Sequence, residues 1–451
     1  MFFVALTIAR TTFLESVRQP IYFIIILLSG LAQVLNTAIS GYSLGYSDSS
    51  EVFGDNKMLL DVGLATVLFS GTLLAGFIAT AAVSREIENK TVLTVVSKPV
   101  SRIALILGKY LGGAAAMVVA VVIMLLFLQV ALRHGVLSTV RDELDGPVLL
   151  FSIGAVALAC AVAVWGNFFY GWHFSQTASL LTLPLMILAW LLVMIVSKKW
   201  AFQSPLKDFK PQIAAASVLL TCGMLVLTAV AVAASTRLSQ VMTIVAVYAT
   251  FVVGLLSNHL VGRHAFSNEL LAEVTIAEPE RDRFQSFATT GDIYTLTLKA
   301  PPGRLVKVGD PLYYGPNPNG FDLVTPNFTP FKGDLNNSDE FFKLQTPPAI
   351  VITSVKPQQL VIRHLGGTAL PLWREPKTGD FLFTAPTRVN PFALAAWGVI
   401  PNMQYYWLTD AITQNRPAPL SHLFKVILYT AVQVSAFLAL AVVLFQKREV
   451  G

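Results

Sequence analysis

Charged residues are scarce in this chain. Lys, Arg, Asp and Glu make up 13% of its 451 residues, about half the share of a soluble domain, which is roughly 25%. That deficit stands beside 54% apolar residues and a mean hydropathy of +0.63. It excludes an ordinary soluble protein and marks an integral membrane protein. Cysteine is nearly missing. Cys160 and Cys222 both lie inside apolar runs, so they read as small buried thiols and not as a disulfide framework. A phosphate loop is missing too. In the one Gly-Lys pair, Gly108-Lys109, the next residue is Tyr110, and Ile103 stands where the loop's first glycine would be. The histidines, His134, His173, His259, His264, His364 and His422, show no metal-ligand spacing. Residues 1–19 interleave Arg10, Glu15 and Arg18 with apolar residues and have no long apolar run before Pro20. A cleaved secretory signal is therefore not expected.

Charge is also unevenly placed. Between His264 and His422 there are 13 basic and 14 acidic residues, which leaves 19 basic and 12 acidic for the rest. The basic excess therefore sits on the membrane part, near span ends. Attraction to anionic headgroups explains it better than nucleic-acid binding.

Long apolar runs are what the chain does have. Eight segments reach the roughly 20 residues that a spanning helix needs: 21–39, 59–83, 103–132, 147–167, 177–196, 213–234, 241–257 and 423–445. The pair at 147–196 reads either as two full spans or as a re-entrant hairpin. The aromatic cluster 168–174 between them fits an interfacial belt. Ahead of the spans, Phe2, Leu6, Ala9, Phe13 and Val17 follow helical spacing. Residues 1–20 therefore read as an amphipathic interfacial helix.

Eight spans place both termini on one side. Nine basic residues fall on that side, in the N-terminal helix, residues 84–102, the 235–240 turn and the C-terminal tail, against seven in the short loops opposite. The positive-inside rule then makes the terminal side cytoplasmic. The dissent comes from loop 197–212, with Lys198, Lys199, Lys207 and Lys210. A weak similarity between 156–202 and 227–266 fits either a repeated helical hairpin or apolar low complexity.

Residues 263–390 change character. Short β-branched runs such as Ile293–Leu298 and Ile350–Val355 alternate with Pro/Gly/Asn turns. Val306-Lys-Val-Gly-Asp-Pro-Leu312 reads as strand, tight turn, strand. This is a β-rich insertion large enough for one small sandwich or barrel. It precedes the last span, which places it outside the cytoplasm. Residues 391–422 return to helical, amphipathic character, with Tyr405, Tyr406 and Trp407 suited to an outer interface. Residues 423–451 hold the last span and a cytoplasmic tail. The expected fold is thus an all-α polytopic membrane protein with about eight spans, spans one to seven within 21–262, and a β-rich extracytoplasmic domain inserted before the last helix.

The most telling segment is 84–102, dense in charge between two long apolar runs. Its Glu86, Glu88, Thr91, Leu93, Lys98, Pro99 and Arg102, followed by Gly108-Lys109, resemble the cytoplasmic coupling segment of type-2 ABC exporter permeases. Thr11-Thr-Phe-Leu-Glu15 with Arg18 and Pro20 resembles that family's elbow helix, and Trp407–Ile412 with the 444–451 tail resembles its C-terminal end. The chain departs from the family's usual six spans and carries a β insertion where a short helical element is common.

The resemblance implies a non-catalytic permease subunit in a bacterial inner membrane, with both termini cytoplasmic. A separate ABC ATPase would carry the ATP and Mg²⁺, and a second permease copy or homologue would complete the machine. A docked segment of this kind needs charged residues to fix register and apolar ones to fill a pocket. Polar groups inside spans, Gln33, Asn36 and Asp61, are candidates for a substrate route or for helix–helix hydrogen bonds. A second reading is a membrane anchor whose outer β domain binds an envelope protein for assembly or mechanical signalling.

Overall fold

A computed structural model describes residues 2–40, 51–84, 101–136, 144–280, 292–318, 350–364, 375–384, 387–407 and 420–446. The chain divides into a helical unit, Met1–Leu255 with Pro401–Gly451, and a second unit, Leu256–Ile400.

In the helical unit, α1 (Phe2–Arg18) gives way at Gln19, in extended backbone, to α2 (Pro20–Ile39). Pro20 sits in the first turn of α2, where an amide hydrogen would have no intrahelical partner. The other long helices are α3 (Glu51–Ala79), α4 (Arg102–His134), α5 (Gly146–Tyr170), α6 (Phe174–Ile195), α7 (Pro211–Ser235), α8 (Gln240–Ser257) and, near the C-terminus, α10 (Leu420–Gln446). A π-helical turn, Thr80–Ser84, extends α3. Among the described residues, eight helical segments are long and apolar enough to cross a bilayer.

Burial separates centre from rim. The spans of α3, α4 and α7 are 61 to 67% buried, whereas those of α5, α8 and α10 are 22% buried. The first three therefore form the packed middle, with Leu74, Ile123, Met117 and Met224 fully enclosed, and the others present apolar flanks suited to lipid. Stretch 147–196 forms two full-length helices of 25 and 22 residues that pack on each other across a three-residue turn. The weak similarity of 227–266 to this pair is not matched in packing, because α7 lies mainly against α10, α3 and α4. Tyr406 also differs from its expected interfacial place. A 3₁₀ turn, Met403–Tyr406, directs it inward, where it is 3% exposed and its hydroxyl lies 3.1 Å from Thr430 Oγ1.

In the second unit, short strands β1 (Phe266–Ser267) and β8 (Arg388–Val389) pair with each other. The main sheet contains β2 (Leu270–Pro279), β3 (Ile293–Leu298), β4 (Tyr313–Gly315), β5 (Ile350–Lys356), β6 (Gln359–His364) and β7 (Phe381–Phe383). Its order is β4-β7-β2-β3-β6-β5, with every neighbour antiparallel. The chain entering β4 joins the two edges. Gly309 N donates to Ile352 O (2.8 Å), Ile352 N to Asp310 O (3.0 Å) and Leu312 N to Ile350 O (3.1 Å). The strands thus close into a small barrel, which leaves no open edge on the ring. Val274, Leu296, Leu312, Ile352, Ile362 and Leu382 fill it.

The barrel has an internal two-fold likeness that the sequence reading missed. Lys307-Val-Gly-Asp310 recurs as Lys377-Thr-Gly-Asp380. In each, the lysine amide donates to the aspartate Oδ2 at 2.8 Å. Gly309 donates to Ile352 O, and Gly379 donates to Val274 O, also at 2.8 Å. The receiving strands both carry a register irregularity just beyond, at Val274/Ile276 and Ile352/Ser354. Each half, strand-strand-turn-strand, therefore lays its turn on the first strand of the other half.

Both turn glycines need positive φ, +92° and +86°. A Cβ at Gly379 would meet nothing within 4 Å, so a side chain there costs only backbone strain, about 1–2 kcal/mol. Gly379→Val in the full chain is expected to speed amide exchange at Val274, whose amide donates to Asp380 O. Unchanged exchange there contradicts the role given to this turn.

Following β8, the helix α9 (Pro391–Val399) carries no charge and has no buried residue; Phe392 is 87% exposed. It is apolar all round where an amphipathic helix was expected, a composition suited to insertion among lipids.

Candidate coupling face

Chain ends of the helical unit meet in two groups: the end of α10 with the start of α4 and the turn after α7, and the start of α6 with the end of α1. Arg102 opens α4, and its Nη1 donates to Gln446 O at 2.9 Å. Arg237, after α7, donates through Nε to Leu444 O at 3.0 Å. Two guanidinium groups thus satisfy terminal carbonyls of α10, where the helix dipole also favours positive charge. Ser101 caps α4 by accepting from Ala104 N. Ser175 Oγ donates to Val17 O and Gln19 O, and Arg18 Nε donates to Gln176 Oε1 at 2.8 Å, so α6 is held to the α1–α2 elbow.

Helices α1 and α4 approach each other closely. A Cβ at Gly108 would lie 2.8 Å from Ala5 O, and one at Gly112 would overlap Ala9 O. These two glycines, four apart, bring the backbones together. The buried side of α1 is small and polar: Ala5, Thr12 and Ser16, with Val17. Leu6, part of the expected apolar stripe, is 44% exposed. The expected stripe is thus only partly the packing side: Val17 is buried and Phe13 packs on the core, while Leu6 turns outward and the small residues Ala5, Thr12 and Ser16 take its place, because close helix approach selects small residues over large ones. Lys109, beside these glycines, is 5% exposed.

Of the expected coupling residues, Arg102 is described. Glu86, Glu88, Thr91, Leu93, Lys98 and Pro99 lie outside the described residues. Arg102 is solvent-exposed while bonded to α10, so it serves the fold as well as any partner. Arg237 was counted for charge only. Its tie to Leu444 depends on tertiary structure and left no signal in sequence.

The polar residues within the spans are also placed. Gln33 and Asn36 are 1% and 2% exposed. Gln33 Nε2 donates to Gly63 O and Asn36 Nδ2 to Leu59 O, both at 2.9 Å, and Ser40 Oγ donates to Asn36 Oδ1. Their amide donors join α2 to α3. Asp61 lies half-buried on the same stretch of α3. Gly41-Tyr-Ser-Leu-Gly45 has the letters of a nucleophile elbow. It follows a spanning helix, not the strand that such an elbow needs, and it lies outside the described residues.

No curated protein matches the chain. A family model described as "ABC-2 family transporter protein" matches residues 6–302, which takes in most of α1, all of α2 to α8, and strands β1 to β3. With eight candidate membrane-crossing helices, the chain is a multi-pass membrane protein of the permease type, and it belongs to the ABC-2 transporter family.

Proposed function

We propose that this chain is a permease subunit moved by a separate ABC ATPase, which docks at residues 84–102 on the face carrying the chain termini. One observation carries the reading. The residue that closes this segment, Arg102, is bonded to the end of α10, and the helix it opens is packed tightly on α1. A push on the segment would move α1, α4 and α10 as a block. ATP and Mg²⁺ belong to the ATPase, and the permease itself performs no catalysis. The termini face the cytoplasm of a bacterial inner membrane, and a second copy or homologue completes the route. The α2–α3 hydrogen bonds of Gln33 and Asn36 are the contacts that must rearrange if a passage opens beside them.

The barrel, inserted before the last span, lies on the opposite side of the membrane from the termini. Its closed hydrogen-bond ring and its own core also fit the second reading, an anchor for an envelope protein, with the ATPase driving assembly or signalling.

Glu86→Lys with Arg102→Glu is expected to abolish co-purification of an ABC ATPase subunit. Because Arg102 also holds α10, Glu86→Lys alone must weaken binding while leaving the thermal stability of the permease unchanged. Stoichiometric ATPase retained by the double variant overturns the docking role.

A further inference from the structure

At the opposite end of α4 from Arg102, the connection between α6 and α7 forms a tight hairpin. Val196 bridges Phe202, Ser197 N donates to Ala201 O, and Gln203 N donates to Ile195 O. The hairpin and the turn after it present Trp200, Phe202 and Leu206 outward, at 57%, 89% and 80% exposure. Lysines alternate with these apolar groups. Such a mixture of aromatic rings and cations suits the headgroup layer of a bilayer.

Behind this loop lies a cavity of about 180 Å³, ample for several waters. Its lining combines apolar groups, Leu132, Trp190, Met194 and Ile213, with the cations Lys207 and Lys210. Arg133 sits at the edge with its charge already engaged. It contacts Asp145 Oδ2 at 2.8 Å and Asp208 Oδ2 at 2.7 Å. One arginine against two aspartates leaves one negative charge, and two lysines more than offset it, so the cluster nets one positive charge. A phosphodiester bears one negative charge. The cavity is too small for a whole lipid, but the stretch of α6 that supplies Trp190 and Met194 also exposes Leu188, Leu191 and Ile195, along which an acyl chain can run.

We propose that this cavity holds the phosphodiester headgroup of an anionic phospholipid, with Lys207 and Lys210 on the phosphate and Trp190 and Met194 against the start of the acyl chain. This site accounts for two of the four lysines of loop 197–212, Lys207 and Lys210, on the side that the positive-inside rule leaves poor in them. These two serve lipid binding and not orientation.

The test is native mass spectrometry of the purified full-length protein, titrated with phosphatidylglycerol, phosphatidylcholine and soluble glycerol 3-phosphate. A lysine near an anionic lipid contributes about fivefold to affinity. Lys207→Glu with Lys210→Glu is therefore expected to lower phosphatidylglycerol binding by about tenfold or more and to erase its preference over phosphatidylcholine. Lys198→Glu with Lys199→Glu, on the same loop but away from the cavity, is expected to leave that preference intact. Equal phosphatidylglycerol binding by wild type and the Lys207/Lys210 variant overturns the proposal, as does an equal loss in the Lys198/Lys199 variant. Displacement of the lipid by glycerol 3-phosphate at matched concentration overturns its assignment to a lipid.

Discussion

Gly112→Leu is expected to separate α1 from α4 and uncouple the permease from its ATPase. The position has no room for a side chain, because even a Cβ overlaps the Ala9 carbonyl oxygen and lies 2.7 Å from Thr12 Cβ. The carbonyl is backbone and cannot rotate aside, so relief requires the helices to part. Overpacking of this kind costs about 1–3 kcal/mol, and the same change at Gly108 adds a second clash. The variant should unfold at lower temperature in detergent, and any ATPase that still binds should hydrolyse ATP without response from the permease. Leu6→Ala, on the exposed side of α1, serves as the control and should stay within about 0.5 kcal/mol of the parent. A Gly112→Leu protein with unchanged stability and unchanged coupling would show that α1 is not part of the moving block.

Arg133→Leu should be the most damaging single change at the other end of the helices. Arg133 is the shared partner of Asp145, which is 1% exposed, and Asp208, which is 24% exposed. These residues come from the end of α4, the cap of α5 and the loop before α7, so one side chain ties three elements. Removing it leaves a buried carboxylate without its counter-charge, a loss of about 3–5 kcal/mol. The leucine keeps the apolar stem, which isolates the charge effect. Adding Asp145→Asn should restore part of the stability. Asparagine removes the stranded charge, and its side-chain oxygen can still accept from Val148 N, as Asp145 Oδ1 does now at 3.2 Å. An Arg133→Leu protein within about 1 kcal/mol of the parent would mean that the triad is ornamental.

The spans were legible because the bilayer demands about 20 apolar residues and little else. Their predicted limits fall within a few residues of the helices seen. The partners of each helix were not legible. Hydropathy cannot distinguish a span facing lipid, such as α5, from one in the middle, such as α4, because both are apolar all round. Of the packing side of α1 it found Val17 and Phe13 but not Ala5, Thr12 and Ser16, which are too small or too polar to register. Gln33 and Asn36 stood out as polar groups within a span, but their use in joining α2 to α3 depends on where the Gly63 and Leu59 carbonyls lie. In the β unit, alternation revealed strands and left barrel and sandwich open. The repeated Lys-x-Gly-Asp turn was available in the sequence and was the signal for closure, since each copy of it docks on the other half.

The proposed function requires a sidedness, with residues 84–102 on the ATPase side of the membrane and the barrel on the other. Single cysteines at Thr91 and Ala300, in a background lacking Cys160 and Cys222, can be labelled with a membrane-impermeant thiol reagent in right-side-out and inside-out vesicles. Labelling of position 91 only in inside-out vesicles, and of position 300 only in right-side-out vesicles, is the predicted result. Labelling of both positions from the same side would contradict it.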